Sequence, residues 1–300
     1  MIRIGTRSSA LAVAQSEAVR QVLLSHGIEA ELATFDTKGD QVLDRTLDKI
    51  GDKGLFTTEL EMALRNHDID IAVHSLKDLP TQLAVGLTVA AYTLPEDARD
   101  VLIAEPGTTL AGLPAGAVVG TSSLRRAAFL REQRPDIQVV PVRGNLQTRV
   151  DKWRNQKWAG LILAAAGVHR LRWHSLIAEY LDPEVMVPAP GQGVLAVEMA
   201  QDHRELTTVL NLLNDPEIAP RVVAERQVLA TLAGGCQIPL GSYATLSQGK
   251  IFLTAKVASR DGQIIMRATG EDLVANAVAL GHQVGEELLR KGAHELIAAG

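Results

Sequence analysis

The sequence predicts an α/β protein of two lobes, followed by a smaller C-terminal α+β domain. Three observations carry this. Strand-like apolar runs alternate with amphipathic helical stretches through the first part of the chain. The alternation restarts after a polar, turn-rich segment at 94–100, Leu-Pro-Glu-Asp-Ala-Arg-Asp, which reads as a hinge. From Asp215 the pattern changes to one long helix, three strands and a closing helix. A chain of 300 residues is also long for a single core, so two or three domains are expected.

Ile2–Thr6 reads as a strand. Ser8–Ser25 reads as a helix, with Leu11, Ala14, Ala18, Val22 and Leu23 as its apolar stripe and His26-Gly27 as its stop. Glu31–Phe35 is a strand, Phe56–Asn66 a helix, and Asp70–His74 a buried strand that runs into a polar turn. Leu87–Thr93 is the last strand of the first set. In the second set, Val118-Val119 is a strand, Ser122–Gln133 a helix and Ile137–Val142 a strand. Leu146–Arg154 is a helix and Gly160–Ala164 a strand. The proline- and glycine-rich stretch Val187–Gly193 crosses back to a strand at Val194–Glu198. Pro216–Leu232 is the long helix, Tyr243–Leu246, Ile251–Ala258 and Gln263–Ala268 are strands, and Leu273–Lys291 is the last helix. The expected divisions are 1–95 with 194–212, then 99–190, then 215–300. Two α/β lobes joined by two crossings predict a cleft, with ligands at the carboxyl ends of strands.

The composition, 46% hydrophobic and 22% charged, is that of an ordinary globular protein and argues against disorder. Met1–Thr6 reads directly as a strand, so a secretory leader is not expected. Runs such as Leu161–Gly167 are far too short to span a membrane. One cysteine and no leader fit a reducing cytoplasm. A net charge of −5 argues against general nucleic-acid affinity. Arginines clustered in an acidic protein point instead to a small anionic ligand.

Four constellations could carry chemistry. The first is His74-Ser75-Leu76-Lys77-Asp78-Leu79-Pro80, where a buried strand stops. An ionised Asp78 can accept two N–H donors or stabilise a cation, and Lys77 offers a point charge to a carboxylate. The second is Gly120-Thr121-Ser122-Ser123-Leu124-Arg125-Arg126, a strand end, a hydroxyl cap and two arginines in a first helical turn. Cations oppose the positive end of the helix dipole, so the pair demands an anion, and a bound carboxylate or phosphate would supply it. On that reading the dipole already opposes these cations in the empty protein, and losing one need not destabilise the fold. The third is Val142-Arg143-Gly144-Asn145-Leu146-Gln147-Thr148-Arg149, and the fourth is Gly5-Thr6-Arg7-Ser8-Ser9. One strand end followed by arginine is weak; the recurrence implies a ligand with several negative groups. Pro190-Gly191-Gln192-Gly193 is too short for a phosphate loop and reads as a hinge. His67, His169, His174 and His203 lack metal-ligand spacing and read as core or surface residues.

Cys236 is the only cysteine, in the loop Leu232-Ala233-Gly234-Gly235-Cys236-Gln237-Ile238-Pro239. A lone thiol makes no intramolecular disulfide. It is either a small core hydrophobe or a nucleophile or covalent anchor, and two preceding glycines allow it to be presented at a turn.

The segments IGTRSSALA, KGLFTTELE, DIAVHSLKDLP, GTSSLRRAAFL, VRGNLQTR, PAPGQGVLAVE and LAGGCQIPLGSYA together resemble the porphobilinogen deaminase family of tetrapyrrole (haem) biosynthesis. They follow the family's order and span nearly the whole chain. One departure is Thr57-Thr58, where related chains often carry a lysine. The resemblance implies two lobes like a type II periplasmic binding protein and a third domain carrying Cys236. It implies a transferase with a dipyrromethane cofactor, joined by a thioether to Cys236. Four porphobilinogen units are added to that primer with loss of ammonia, and hydrolysis releases hydroxymethylbilane. The family's catalytic aspartate matches Asp78. Its cofactor-binding residues match Cys236, Ser75, Lys77, Asp78, Ser123, Arg125, Arg126, Arg143 and Arg149. Its substrate-binding residues match Arg7, Ser9, Lys49, Phe56, Arg170 and Gln192. No metal is implied. A cytoplasmic monomer is implied, acting on porphobilinogen without nucleic-acid or membrane partners. The bottom-up chemistry agrees: each pyrrole carries carboxylates for arginine forks, and a buried carboxylate such as Asp78 could stabilise the cation left by ammonia. Rival readings are a two-lobe binding module for a small polycarboxylate and a cysteine hydrolase, since fold does not fix function.

Overall fold

The computed structural model describes residues 1–37, 57–232 and 238–298. The chain opens with β1 (Ile2–Arg7), α1 (Ala10–Ser25), β2 (Ala30–Phe35), α2 (Thr58–Arg65), β3 (Ile71–Ser75) and β4 (Leu87–Thr93). It continues with β5 (Asp100–Ile103), β6 (Val118–Gly120), α3 (Leu124–Gln133), β7 (Gln138–Val140), α4 (Leu146–Gln156), β8 (Gly160–Ala164), α5 (Ala165–Arg170) and β9 (Ile177–Tyr180). Then come β10 (Leu195–Ala200), α6 (Thr207–Leu210), α7 (Ile218–Thr231), β11 (Leu240–Ser247), β12 (Lys250–Ala258) and β13 (Ile265–Leu273). The last helices are α8 (Ala277–Arg290) and α9 (Ala293–Ala298).

These elements form two compact units, Met1–Glu96 with Gly193–Ala219, and Asp97–Gln192 with the chain from Pro220. The first unit holds a five-stranded sheet ordered β2-β1-β3-β10-β4. The second holds a five-stranded sheet ordered β7-β6-β8-β5-β9 and a three-stranded sheet ordered β11-β12-β13. The two five-stranded sheets are built alike. In one, β1 is parallel to β2 and β3, and β10 runs antiparallel between β3 and β4. In the other, β6 is parallel to β7 and β8, and β5 runs antiparallel between β8 and β9. Each inserted strand is the first formed after the chain crosses between units, β5 after Asp97 and β10 after Gly193.

Burial explains the sheet positions. In the first unit Ile2, Ile4, Ile71, Val73, Leu195 and Val197 pack with Val19 and Leu23 of α1. Leu60, Leu64, Ile69 and Ala72 form a second cluster with α2. The buried residues of α1 are Ala12, Gln15, Ser16, Val19 and Leu23. Of the expected stripe only Leu23 is among them. The reason is chemical: Gln15 points inward because its Nε2 donates to Ser75 Oγ at the end of β3, 2.9 Å away.

The C-terminal sheet is an antiparallel meander in which Ile251, Leu253 and Val257 pack with Val228 of α7 and Leu280, Val284 and Leu288 of α8. The helices meet through glycines. A Cβ on Gly281 would stand 2.5 Å from Ala224 O, and one on Gly285 would stand 2.6 Å from Thr231 Cβ. Only glycine allows that approach.

Three expectations change. β13 extends to Leu273, which pairs with Lys250, so α8 starts later than expected. Asp100 begins a fully buried strand and does not end the polar, turn-rich hinge. α5 and β9 are too short for periodicity to reveal.

Candidate active site

The first unit gathers one group of candidates at the carboxyl edge of its sheet. β1 and β3 are parallel neighbours, so Arg7 and Ser75 end on the same edge. Ser9 caps α1 by accepting from Ala12 N–H at 3.4 Å. Past Ser75 the chain makes a single 3-10 turn, Leu76–Asp78, anchored by fully buried Leu76 and by Leu76 N–H donating to Val194 O at 3.0 Å. That turn brings Lys77 and Asp78 out of the sheet. Lys77 is half-buried and Asp78 is exposed. The expectation of a buried Asp78 carboxylate is therefore corrected: the turn ends the strand before Asp78 can be covered. Behind it, His74 Nε2 lies 3.1 Å from Glu198 Oε2, and both side chains are buried.

The second unit repeats the pattern. β6, β7 and β8 are parallel, and Ser123, Arg143 and Arg170 follow their carboxyl ends. Ser123 is the N-cap of α3, its Oγ accepting from Arg126 N–H at 3.4 Å. Arg149 Nε donates to Gly144 O at 2.8 Å, folding the turn after β7 back on itself. Arg143 is half-buried, and its Nη1 is enclosed with no hydrogen-bond partner among the described residues. A buried guanidinium N–H without an acceptor is uncommon and marks a place for one.

Arg125 and Arg126 are buried, and both pair with one carboxylate of the chain itself. Arg125 Nη1 donates to Asp100 Oδ2 at 2.7 Å and to Val187 O at 2.7 Å. Arg126 donates to Asp100 Oδ1 from Nε at 3.0 Å and from Nη2 at 2.8 Å. Gln192 Nε2 adds a bond of 2.9 Å to Asp100 Oδ1 and one of 2.6 Å to Ala98 O. The register explains the meeting. β5 runs antiparallel to β8 with Asp100 opposite Ala164, which puts Asp100 at the carboxyl edge where α3 begins. Burial opposes the Asp100 charge, but Arg125 and Arg126 outweigh it and hold its carboxyl well below the usual carboxylate range. The two first-turn arginines do meet an anion, and the structure supplies one that the sequence reading did not name, Asp100 of the chain itself. Asp100 was hidden inside the expected hinge, and the demand for an anion was the one signal that could have found it.

Cys236, Lys49 and Phe56 lie outside the described residues. The expected core-or-surface histidines sort into two contacts. His67 and His203 meet edge-on at 5.4 Å, and His169 stacks on His174 at 4.5 Å. Among the described residues no group of three or more His, Cys, Asp or Glu could hold a metal, and no helix is long and apolar enough to cross a membrane.

Residues 2–208 match the family model described as porphobilinogen deaminase, dipyromethane cofactor binding domain. Residues 219–290 match the porphobilinogen deaminase C-terminal domain. A porphobilinogen deaminase of Desulfitobacterium hafniense is 48% identical over 300 residues, covering 99% of this chain and 96% of that one. One from Halalkalibacterium halodurans is 45% identical over 302 residues, with 99% and 96% covered. Among solved structures, a nutrient binding protein from Burkholderia cenocepacia bound to methionine overlaps 73% of this chain and 93% of its own. Its TM-score is 0.44 and its identity 11%, a likeness too slight to carry function. Two family models covering nearly the whole chain and relatives near half identity lead to one conclusion: the chain belongs to the porphobilinogen deaminase family.

Proposed function

We propose that the chain converts porphobilinogen to hydroxymethylbilane, with Asp78 as its catalytic group and Cys236 as the anchor of its dipyrromethane. The family match identifies a transferase of tetrapyrrole biosynthesis whose first domain binds dipyrromethane. The observation on this chain that carries the reading is Arg143, whose enclosed Nη1 has no acceptor among the described residues. A pyrrole acetate or propionate is the acceptor such a donor needs. Arg143 and Arg149, with Ser123 at the cap of α3, would hold the primer's carboxylates, together with Ser75 and Lys77. Arg125 and Arg126 serve the same site with the donors that Asp100 leaves, and Asp100 keeps both guanidinium groups aimed. Arg7, Ser9, Lys49, Phe56, Arg170 and Gln192 are assigned to the incoming substrate.

When bound, the dipyrromethane supplies the pyrrole carbon onto which four porphobilinogen units are joined in turn before hydrolysis frees the product. The protein's task is electrostatic. Loss of ammonia from porphobilinogen leaves a cation, and the exposed Asp78 carboxylate at the end of β3 can meet it and the pyrrole N–H groups directly. An acceptor that strengthens as positive charge develops lowers the barrier; one that only binds does not. We assign the chain to the cytoplasm as a monomer without nucleic-acid or membrane partners, and divide it as 1–95 with 194–212, 99–190 and 215–300.

The intact mass of the purified protein tests this. Wild type is expected to carry the mass of two pyrrole units, and Cys236→Ser to be folded, unmodified and inactive, because a serine hydroxyl lacks the nucleophilicity of a thiolate. An unmodified wild type that binds polycarboxylates reversibly would establish the binding-module reading instead.

A further inference from the structure

Glu225, midway along α7, is buried, and the mechanism above makes no use of it. Its Oε2 accepts from Gly191 N–H at 2.7 Å, and its Oε1 accepts from Ala244 N–H at 2.9 Å. One carboxylate thus joins three segments of the second unit: α7, β11 and the turn at 189–192. The chain leading into and out of that turn is held at several points. Val187 O accepts from Arg125, Pro188 O accepts from Ser242 N–H at 2.8 Å, and Gln192 bonds Asp100. Gly191 has φ of 75°, a left-handed conformation natural to glycine. β11 is gripped twice, because Arg221 Nε also donates to Ala244 O at 3.0 Å.

We propose that Glu225 is a positioning residue for the reaction: its carboxylate holds the Gly191 turn, and through Gln192 the Asp100–Arg125–Arg126 cluster, in register with helix α7. The proposal rests on the reading above, in which these arginines hold carboxylates and the chain beyond α7 carries the anchor Cys236. Both amides bond most strongly to an ionised carboxylate. Burial raises Glu225 from 4.5 to about 7, while the Gly191 and Ala244 amides and Arg221 pull the other way, so its charge changes in the neutral range. The charged and titratable neighbours are few. Arg221 comes from its own helix and Tyr243 from β11, where the Arg221 guanidinium lies 5.9 Å from the Tyr243 ring centre. From α8, His282 reaches Thr231, further along α7. The turn itself offers only Gln192 and, through it, the Asp100 cluster.

The test uses the primer-loaded protein labelled with 15N at glycine and alanine. The Gly191 and Ala244 amide signals should titrate together with a midpoint near pH 7 in wild type and stay flat in Glu225→Gln. In parallel, kcat/KM should fall about tenfold below that midpoint, the worth of one charge-assisted hydrogen bond. Glu225→Gln should sit on that lower limb at every pH, with the loss mainly in KM. Glu225→Asp, which keeps the charge one methylene short, should restore part of the limb and stands in if the Gln variant does not fold. Flat amide signals in wild type overturn the proposal, and so does an unchanged pH profile in a folded Glu225→Gln. Neither result touches the primer mass, so failure here is distinct from failure of the assigned activity.

Discussion

Asp100 pairs one carboxylate with two guanidinium groups in a buried cluster, and the arrangement makes a demand at the residue scale. Replacing either Arg125 or Arg126 by Leu strips buried Asp100 of charge-assisted hydrogen bonds, so stability should fall, whereas the helix dipole alone predicts no loss. Asp100→Asn leaves two buried cations facing an amide. It should lower unfolding stability by about 3–5 kcal/mol, measured by urea titration; a loss under 1 kcal/mol, the worth of a surface pair, would refute the burial argument. Asp78 makes the opposite demand, because it is exposed. Asp78→Asn should leave stability within about 0.5 kcal/mol, yet depress kcat by about a hundredfold or more. Asp78→Glu should keep part of the rate. Tetrapyrrole formation by the three proteins, after equal primer loading is checked by mass, decides it. Wild-type turnover in the Asn variant would remove Asp78 from the mechanism.

At the scale of elements, the close crossing of α7 and α8 controls how the C-terminal sheet is covered. Gly281 and Gly285 let the helices approach closely, with the Ala224 backbone oxygen and Thr231 Cβ only 2.5 and 2.6 Å from where a Cβ would stand. Gly285→Ala should cost about 1–3 kcal/mol through overpacking, despite the better helix propensity of alanine. A thermal melt that rises in this variant would show that the helices can part without loss. The same scale explains why α1 turned its face. Periodicity counts apolar residues, but Gln15 is buried to serve Ser75, and that hydrogen bond joins α1 to the strand that leads into the Asp78 turn. Periodicity alone did not mark Gln15 as buried, because its partner Ser75 lies on another element.

For the whole molecule, two buried carboxylates, Asp100 and Glu225, contribute to pH dependence with opposite signs. Asp100 has its pKa depressed, so its contribution is present at neutral pH and is lost only as pH falls below the ordinary carboxylate range. Glu225 is raised from 4.5 to about 7, so its contribution is complete below 4.5 and is lost as pH rises through 7. The ionised form therefore costs the fold about 3 kcal/mol above neutrality. Calorimetry of wild type and Glu225→Gln between about pH 5 and pH 8 should show wild type losing stability relative to the variant as pH rises; parallel curves would contradict the burial of this charge. What the sequence determined by itself was local or repeated: strand–helix alternation, the turn chemistry at each strand end, the recurrence of arginine there, and the ordered motifs that resemble one enzyme family. Burial of Asp100, exposure of Asp78 and the Gly191–Glu225–Ala244 contact were decided only by tertiary structure. Each depends on which strand lies beside which and in what register. Asp100 meets Arg125 and Arg126 because β5 inserts antiparallel beside β8 after the chain has crossed between units. Pairing between strands so far apart in sequence follows from the burial of whole faces, and no local pattern of residues encodes it.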